Sequence, residues 1–298
     1  GKRRGRTMKY RITHKTTYES HEPVSIGHNQ AWLELRPVDW QQVDSFMVSI
    51  DPEPSIRTRR IDSFHNPVHL FSFNEGYQQL TVTATSVVTV TERPPAAIET
   101  SPAWEHVARA VKSHATLEDR EAAEFAFASP RIQWTGDKRQ YAAESFVPGR
   151  NVRDAVQDLT RRIHGDFTYD DRATTVNTPV NEVFRLRRGV CQDFAHLQIA
   201  MLRSLNIPAR YVSGYLRTIP AAGKPRLVGA DASHAWLAVY CGNGQWLAVD
   251  PTNNSVCSTD HITLAWGRDY GDVPPLTGVF IGGGQHRLIV NVDVLPLA

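Results

Sequence analysis

Apolar and polar residues alternate along the first third of the chain and recur at helical spacing through much of the rest. Tyr10, Ile12, His14, Thr16 and Tyr18 alternate with Arg11, Thr13, Lys15 and Thr17, the period of a strand with one buried face. Trp32, Leu33 and Leu35 form a second short segment stopped by Pro37. Phe46, Val48 and Ile50 form a third, closed by the turn residues Asp51-Pro52-Glu53-Pro54. His69 to Phe73 follow Asn66-Pro67, and then Leu80, Val82, Ala84, Val88 and Val90 line one face of the clearest strand, with Thr81, Thr83, Thr85, Thr89 and Thr91 opposite. Several short strands with turns between them and no helical period predict an antiparallel β-sandwich over residues 8–95.

Pro94-Pro95 and the Ala/Pro/Ser/Thr mix up to Pro102 mark a boundary. Beyond it, residues 96–150 read as linker and helices, with helical composition in Ala103 to Ser113 and Leu117 to Phe127. Asn151 suits the N-cap of a helix through Val152, Ala155, Val156, Leu159 and Ile163 that ends near Gly165. A Thr-rich loop leads to Gly189-Val190-Cys191, where another helix begins. Phe194, Leu197, Met201 and Leu205 form its apolar stripe, Arg203 falls outside that stripe, and Asn206-Ile207-Pro208 ends it. Ala209 to Thr218 returns to a period of two. The strands His234 to Tyr240 and Trp246 to Asp250 flank Gly242-Asn243-Gly244, a hairpin signal. Residues 151–298 therefore read as one α+β core, in which Gly282-Gly283-Gly284 is a turn: it has neither the Lys-Ser/Thr of a phosphate loop nor dinucleotide-fold spacing.

The pattern also places candidate chemistry. A cysteine at a helix N-terminus meets unpaired backbone N–H groups and the positive end of the helix dipole, which favour a thiolate and can hold an oxyanion. The outer ends of the predicted hairpin carry His234 and Asp250 on the same side, away from the turn. Cys191, His234 and Asp250 thus supply a nucleophile, a base and an orienting carboxylate.

Composition narrows the alternatives. The chain has 298 residues, 41% hydrophobic, with a net charge of +2 and part of its basic excess in Lys2, Arg3, Arg4, Arg6, Lys9 and Arg11. That run reads as a solvated start rather than a nucleic-acid or membrane patch. No apolar run reaches the roughly eighteen residues of a membrane span, and none follows the basic start as in a signal peptide. A cytoplasmic protein without nucleic-acid or membrane partners is expected. Three cysteines make no disulfide framework, so Cys241 and Cys257 are expected as free thiols. With no CxxC, HExxH or Cys/His ladder and no acidic calcium loop, neither a metal nor another cofactor is expected.

Four blocks, Gly189-Val190-Cys191-Gln192-Asp193-Phe194-Ala195-His196, Ile207 to Tyr215, Ser233-His234-Ala235-Trp236 and Asp250-Pro251-Thr252-Asn253, resemble the bacterial transglutaminase-like family, which includes transglutaminase-like cysteine proteases. The resemblance spans Asp154 to Asn253, and Met8 to about Arg93 resembles the N-terminal domain that accompanies this core in one bacterial subgroup. It implies a papain-like α+β core with Cys191 as nucleophile, His234 as base and Asp250 as orienter. It also points to Trp236 as a shield for the imidazole and to the Tyr169 hydroxyl as an aid to the oxyanion. Asp193 and His196 are expected to brace the helix start. The implied activity is cysteine-dependent hydrolysis of a peptide or protein amide through a thioester. Acyl transfer to an amine and a non-catalytic binding scaffold remain as alternatives.

Overall fold

The computed structural model describes residues 6–93, 101–218 and 233–297; the proline-rich boundary at 94–100 and the Gly/Pro/Ala-rich loop at 219–232 lie outside them. Its N-terminal half is built on β1 (Thr7–Ala31), followed by β2 (Gln41–Asp51), β3 (Ile56–Ile61), β4 (Pro67–Phe73) and β5 (Tyr77–Thr91). The alternation predicted from Tyr10 to Tyr18 runs on as one 25-residue strand, and Trp32, Leu33 and Leu35 are buried irregular chain past its end, not a second strand. The polar stretch after Tyr18 hides this continuity, because the pairing with β5 shifts register between Glu19 and Val24 and the facial pattern shifts with it. β3 escaped the sequence reading because all six of its residues are exposed.

The strands expected to form a sandwich belong to one antiparallel sheet, and β1 joins its two halves. Its first part pairs with β5, which pairs with β2, and its last residues pair with β4, which pairs with β3. Ala31, Leu33, Val48, Ile50, Phe71, Phe73, Leu80, Val82 and Ala84 form the core between them.

The second half opens with α1 (Trp104–Ser113), α2 (Leu117–Ala123), α3 (Gly136–Ala143) and α4 (Val152–Asp166). Asn151 caps α4 by accepting the Arg153 and Asp154 N–H groups, as its sequence position predicts. Next come β6 (Thr168–Tyr169), α5 (Val180–Leu186), β7 (Arg188–Gly189) and the central helix α6 (Cys191–Ser204). From Asp193 onward every residue of α6 is buried. Arg203 stands off the apolar stripe as expected, yet it too is buried, because its guanidinium donates to the carbonyls of Phe125, Ala209 and Arg268 at 2.8, 2.9 and 2.6 Å. A buried cation is tolerated when carbonyl dipoles replace its water.

α6 packs on a five-stranded sheet made of β8 (Ala209–Leu216), β9 (Ser233–Tyr240), β10 (Trp246–Asp250), β11 (Ser255–Val256) and β12 (His261–Gly267), in the order β11-β10-β9-β8-β12. Ala235, Leu237 and Val239 share the core with α6, whereas Val212, Trp236, Ala238, Ala248 and Cys257 form a second cluster. The predicted hairpin is present, with Gly242, Asn243 and Gly244 all at positive φ. All three cysteines are free thiols. Among the described residues no helix is long and apolar enough to cross a membrane.

The end of the chain does not belong to this core sheet. β13 (Leu276–Gly282) and β14 (His286–Leu297) both pair antiparallel with β1, opposite residues 24–31 and 9–20. Gly282-Gly283-Gly284, at φ of 91°, 87° and 58°, carries the chain past the register break in β1. The two halves thereby share a core, since Tyr10, Ile12, Val88, Val90, Val292 and Val294 pack with Tyr215, Ile262 and Leu264. Gln41 and the Thr263 backbone exchange two hydrogen bonds of 2.8 Å. The Arg36 and Arg210 guanidinium groups both stack on Trp266, 3.6 Å from its ring centroid.

Gly214 pairs with His234. A Cβ there would collide with the Ile262 carbonyl and the Trp236 ring. Gly214→Ala is expected to cost about 1–3 kcal/mol, seen as a lower urea midpoint at unchanged slope.

Candidate functional site

Cys191 is the first residue of α6, and the turn before it is held by the helix itself. Asp193 accepts the Val190 N–H at 2.8 Å and the Thr174 hydroxyl at 2.6 Å, which fixes the entry of the chain. Burial pushes the Asp193 carboxyl up, and these two donors oppose that shift. His196, one turn on, accepts the Tyr270 N–H at 3.1 Å. Both residues brace this end of the helix, as expected.

His234 opens β9 and Asp250 closes β10, so the antiparallel pairing of the two strands brings these ends together. His234 Nε2 lies 2.7 Å from Asp250 Oδ2. Cys191 and His234 line the same cleft, and with Nε2 engaged by the carboxylate, Nδ1 is the nitrogen left for sulfur. Burial alone would lower the His234 pKa, but hydrogen bonds to Asp250 and Cys191, with the charges behind them, carry it to about 10.

Asp250 is fully buried and fully satisfied. Oδ1 accepts the N–H groups of Thr252 and Asn253 at 3.0 and 3.2 Å, while Oδ2 receives His234, the Asn253 side-chain amide at 2.7 Å and a second imidazole, His261 Nε2, at 3.1 Å. Burial opposes its ionisation, yet these donors hold the carboxyl far below the usual carboxylate range.

His234, Asp250 and His261 bring three possible metal-ligand atoms within 4.8 Å of one another. The hydrogen bonding argues against a metal there. The Ser258 N–H points at His261 Nδ1, 3.3 Å away, which leaves the proton of the neutral ring on Nε2, facing Asp250. The nitrogen that would ligate a metal is therefore a donor, and Asp250 Oδ2 already receives three donors.

The supporting residues lie at the edges of this arrangement. Trp236 is fully buried, with its ring centroid 6.1 Å from His234 and 5.2 Å from His261, edge-on to the latter. It packs against both imidazoles. Tyr169 pairs with Gly189 across β6 and β7, but it is 57% exposed and lies outside the residues lining the cleft. That cleft, about 250 Å³, has Cys191, His234, Tyr211, Ser213 and Tyr270 on the core side and His14, Thr16, Tyr18, Leu288 and Val290 on the N-terminal sheet.

Two family models match the chain: the transglutaminase-like superfamily over residues 139–251 and the bacterial transglutaminase-like N-terminal region over 10–89. An uncharacterized protein of Mycobacterium tuberculosis (strain ATCC 25618 / H37Rv) is 40% identical across 97% of this chain and 93% of its own length. The chain belongs to the transglutaminase-like superfamily. A protein-glutamine gamma-glutamyltransferase of Pseudomonas aeruginosa is 35% identical over 138 residues, 41% of this chain and 20% of that protein. The fold is shared with a protein of Cytophaga hutchinsonii whose crystal structure names it only as a candidate cysteine protease. The TM-score is 0.77 at 21% identity, covering 99% of this chain and 92% of that one.

The transglutaminase-like region takes in Cys191, His234 and Asp250 but stops before His261. Sequence reasoning also passes over His261, since a histidine opening a strand eight residues past Asn253 carries no signal of its own. The alternation places His14 on the buried face of the first strand. It is buried, and it also lines the cleft, with Nδ1 2.9 Å from the Tyr215 hydroxyl.

Two outcomes follow from the geometry. His261→Ala removes a hydrogen bond to a buried charge and is expected to cost about 1.5–3 kcal/mol in urea unfolding. Because the folded-state pKa of His234 is raised, its stabilising effect is complete below about pH 6.5 and fades as pH rises to about 10. The stability difference between wild type and His234→Ala should shrink over that window.

Proposed function

We propose that the chain is a cysteine-dependent amide hydrolase acting through Cys191, His234 and Asp250. The observation that carries this reading is His234, which lines the same cleft as Cys191 and is hydrogen-bonded to the buried Asp250 carboxylate. His234 Nδ1 takes the Cys191 proton, and Asp250 holds the ring and stabilises the imidazolium. The thiolate attacks the amide carbonyl, and the developing oxyanion meets the open N–H groups at the start of α6. When the C–N bond breaks, His234 gives its proton to the leaving amine, and a thioester remains on Cys191. Water, losing a proton to His234, attacks the thioester, releasing the acid and restoring the thiol.

Two comparisons bear on the reaction type. The Cytophaga hutchinsonii neighbour supports hydrolysis, and the Pseudomonas aeruginosa relative supports transfer of the acyl group to an amine in place of water. We favour water, because it is always available to resolve a thioester, whereas transfer needs a site that excludes water and binds the amine. The experiment is cysteine alkylation by iodoacetamide as a function of pH, read by peptide mass spectrometry. Cys191 should react at least tenfold faster than buried Cys241 and Cys257 at pH 6, and His234→Ala should remove most of that advantage. Equal behaviour of the three thiols would overturn the reading. Peptide amides incubated with and without a primary amine then separate the reactions, since amine-dependent mass gain without free acid would mean transfer.

A further inference from the structure

The reactive cleft is walled on one side by the N-terminal sheet, and that wall has a definite chemistry. None of the described residues lining it is Asp, Glu, Lys or Arg. Its N-terminal histidine, His14, is kept neutral by burial, which lowers its pKa to about 4. The strands β1 and β14 present Tyr18, Leu288 and Val290, and Leu288 and Val290 are 53% and 46% exposed. Half-exposed aliphatic side chains facing an open cleft are surface that a ligand can cover.

The cleft does not end there. A second cavity of about 170 Å³ lies between β1, β5 and β13, and Tyr18 and Leu276 line both cavities. Phe280 and His286 line the second cavity, with ring centroids 5.3 Å apart, and His286 lies 6.3 Å from Tyr18. Either cavity alone falls short of the roughly 300 Å³ at which ligand pockets begin, and together they exceed it. The two cavities adjoin at Tyr18 and Leu276, along the N-terminal sheet, and the second adds Val24, Tyr77, Leu80 and Phe280 beside the polar Ser20, Asn29 and Thr277.

We propose that the acyl side of the substrate is an uncharged peptide segment laid along the N-terminal sheet, with an apolar side chain held by Tyr18, Leu276, Leu288 and Val290. This rests on the amidase reading, because the thiol is what makes the cleft a substrate site. The N-terminal domain is then the selectivity element. An ionised side chain set against Tyr18, Leu276, Leu288 and Val290 would lose water to groups that cannot pair with its charge, whereas an aliphatic or aromatic one removes Leu288 and Val290 from water.

The test measures binding in Cys191→Ala, so it does not depend on thiol reactivity. Fluorescently labelled peptide amides, identical except for Leu, Phe, Lys or Glu at one position, are titrated against the full chain and followed by anisotropy. The Leu and Phe peptides should bind at least tenfold more tightly than the Lys and Glu peptides. Leu288→Asp, and separately Val290→Asp, should erase that preference and improve binding of the Lys peptide. Both sites are about half exposed, so the variants are expected to fold, which circular dichroism checks. Equal affinity across the panel, no binding of any member, or an unchanged preference in both folded variants would overturn the proposal. If the peptides discriminate as expected while Cys191 is unreactive toward iodoacetamide, the selectivity wall stands and the amidase reading fails. A reactive thiol with no peptide preference gives the reverse.

Discussion

A carboxylate with no exposed surface has to replace the water it gives up, and Asp250 does so with donors drawn from several parts of the chain. The Thr252 and Asn253 backbone, the Asn253 amide, His234 and His261 all converge on its two oxygens. Each of these bonds fixes a position: the turn after β10, the start of β9 and the start of β12. Removing the charge would loosen three strands at the edge where Cys191 sits. In this site the stability of the fold and the orientation of the imidazole rest on the same interaction.

The two imidazoles on Asp250 have different characters because their surroundings differ. His234 has the carboxylate on one side and sulfur on the other, and its proton affinity rises. For His261, burial is the largest influence and lowers its pKa, with the nearby His234 and Arg93 charges acting the same way against the pull of Asp250. One ring is suited to carry a proton, and the other serves as a fixed neutral donor. Trp236 packs against both and leaves little room for either to turn.

The N-terminal sheet is joined to this centre more closely than a linear reading of domains allows. β14 returns the end of the chain to β1, and Val292 and Val294 enter a cluster with Tyr215 and Ile262 from the core sheet. A wall built on such a shared core has a fixed distance to Cys191. The arginine–tryptophan stacks and the paired Gln41 bonds tie the two halves together as well.

Local patterns in the sequence determined the elements whose periodicity is strong: the Leu80 to Thr91 strand, the Asn151-capped helix, the helix after Cys191 and the hairpin between His234 and Asp250. They also placed Cys191 at a helix start and His234 and Asp250 at the outer ends of a hairpin, and the family resemblance of the surrounding blocks joined the three. Tertiary structure decided the rest. β1 runs through a register break that scrambles its alternation, and β14 finds its partner 266 to 288 residues away along the chain, at a separation that no periodicity records. Arg203 looks like a surface residue until carbonyls from distant segments surround it. His261 and the N-terminal wall of the cleft follow the same logic: their roles come from contacts between remote segments, and such contacts exist only once the two sheets have packed.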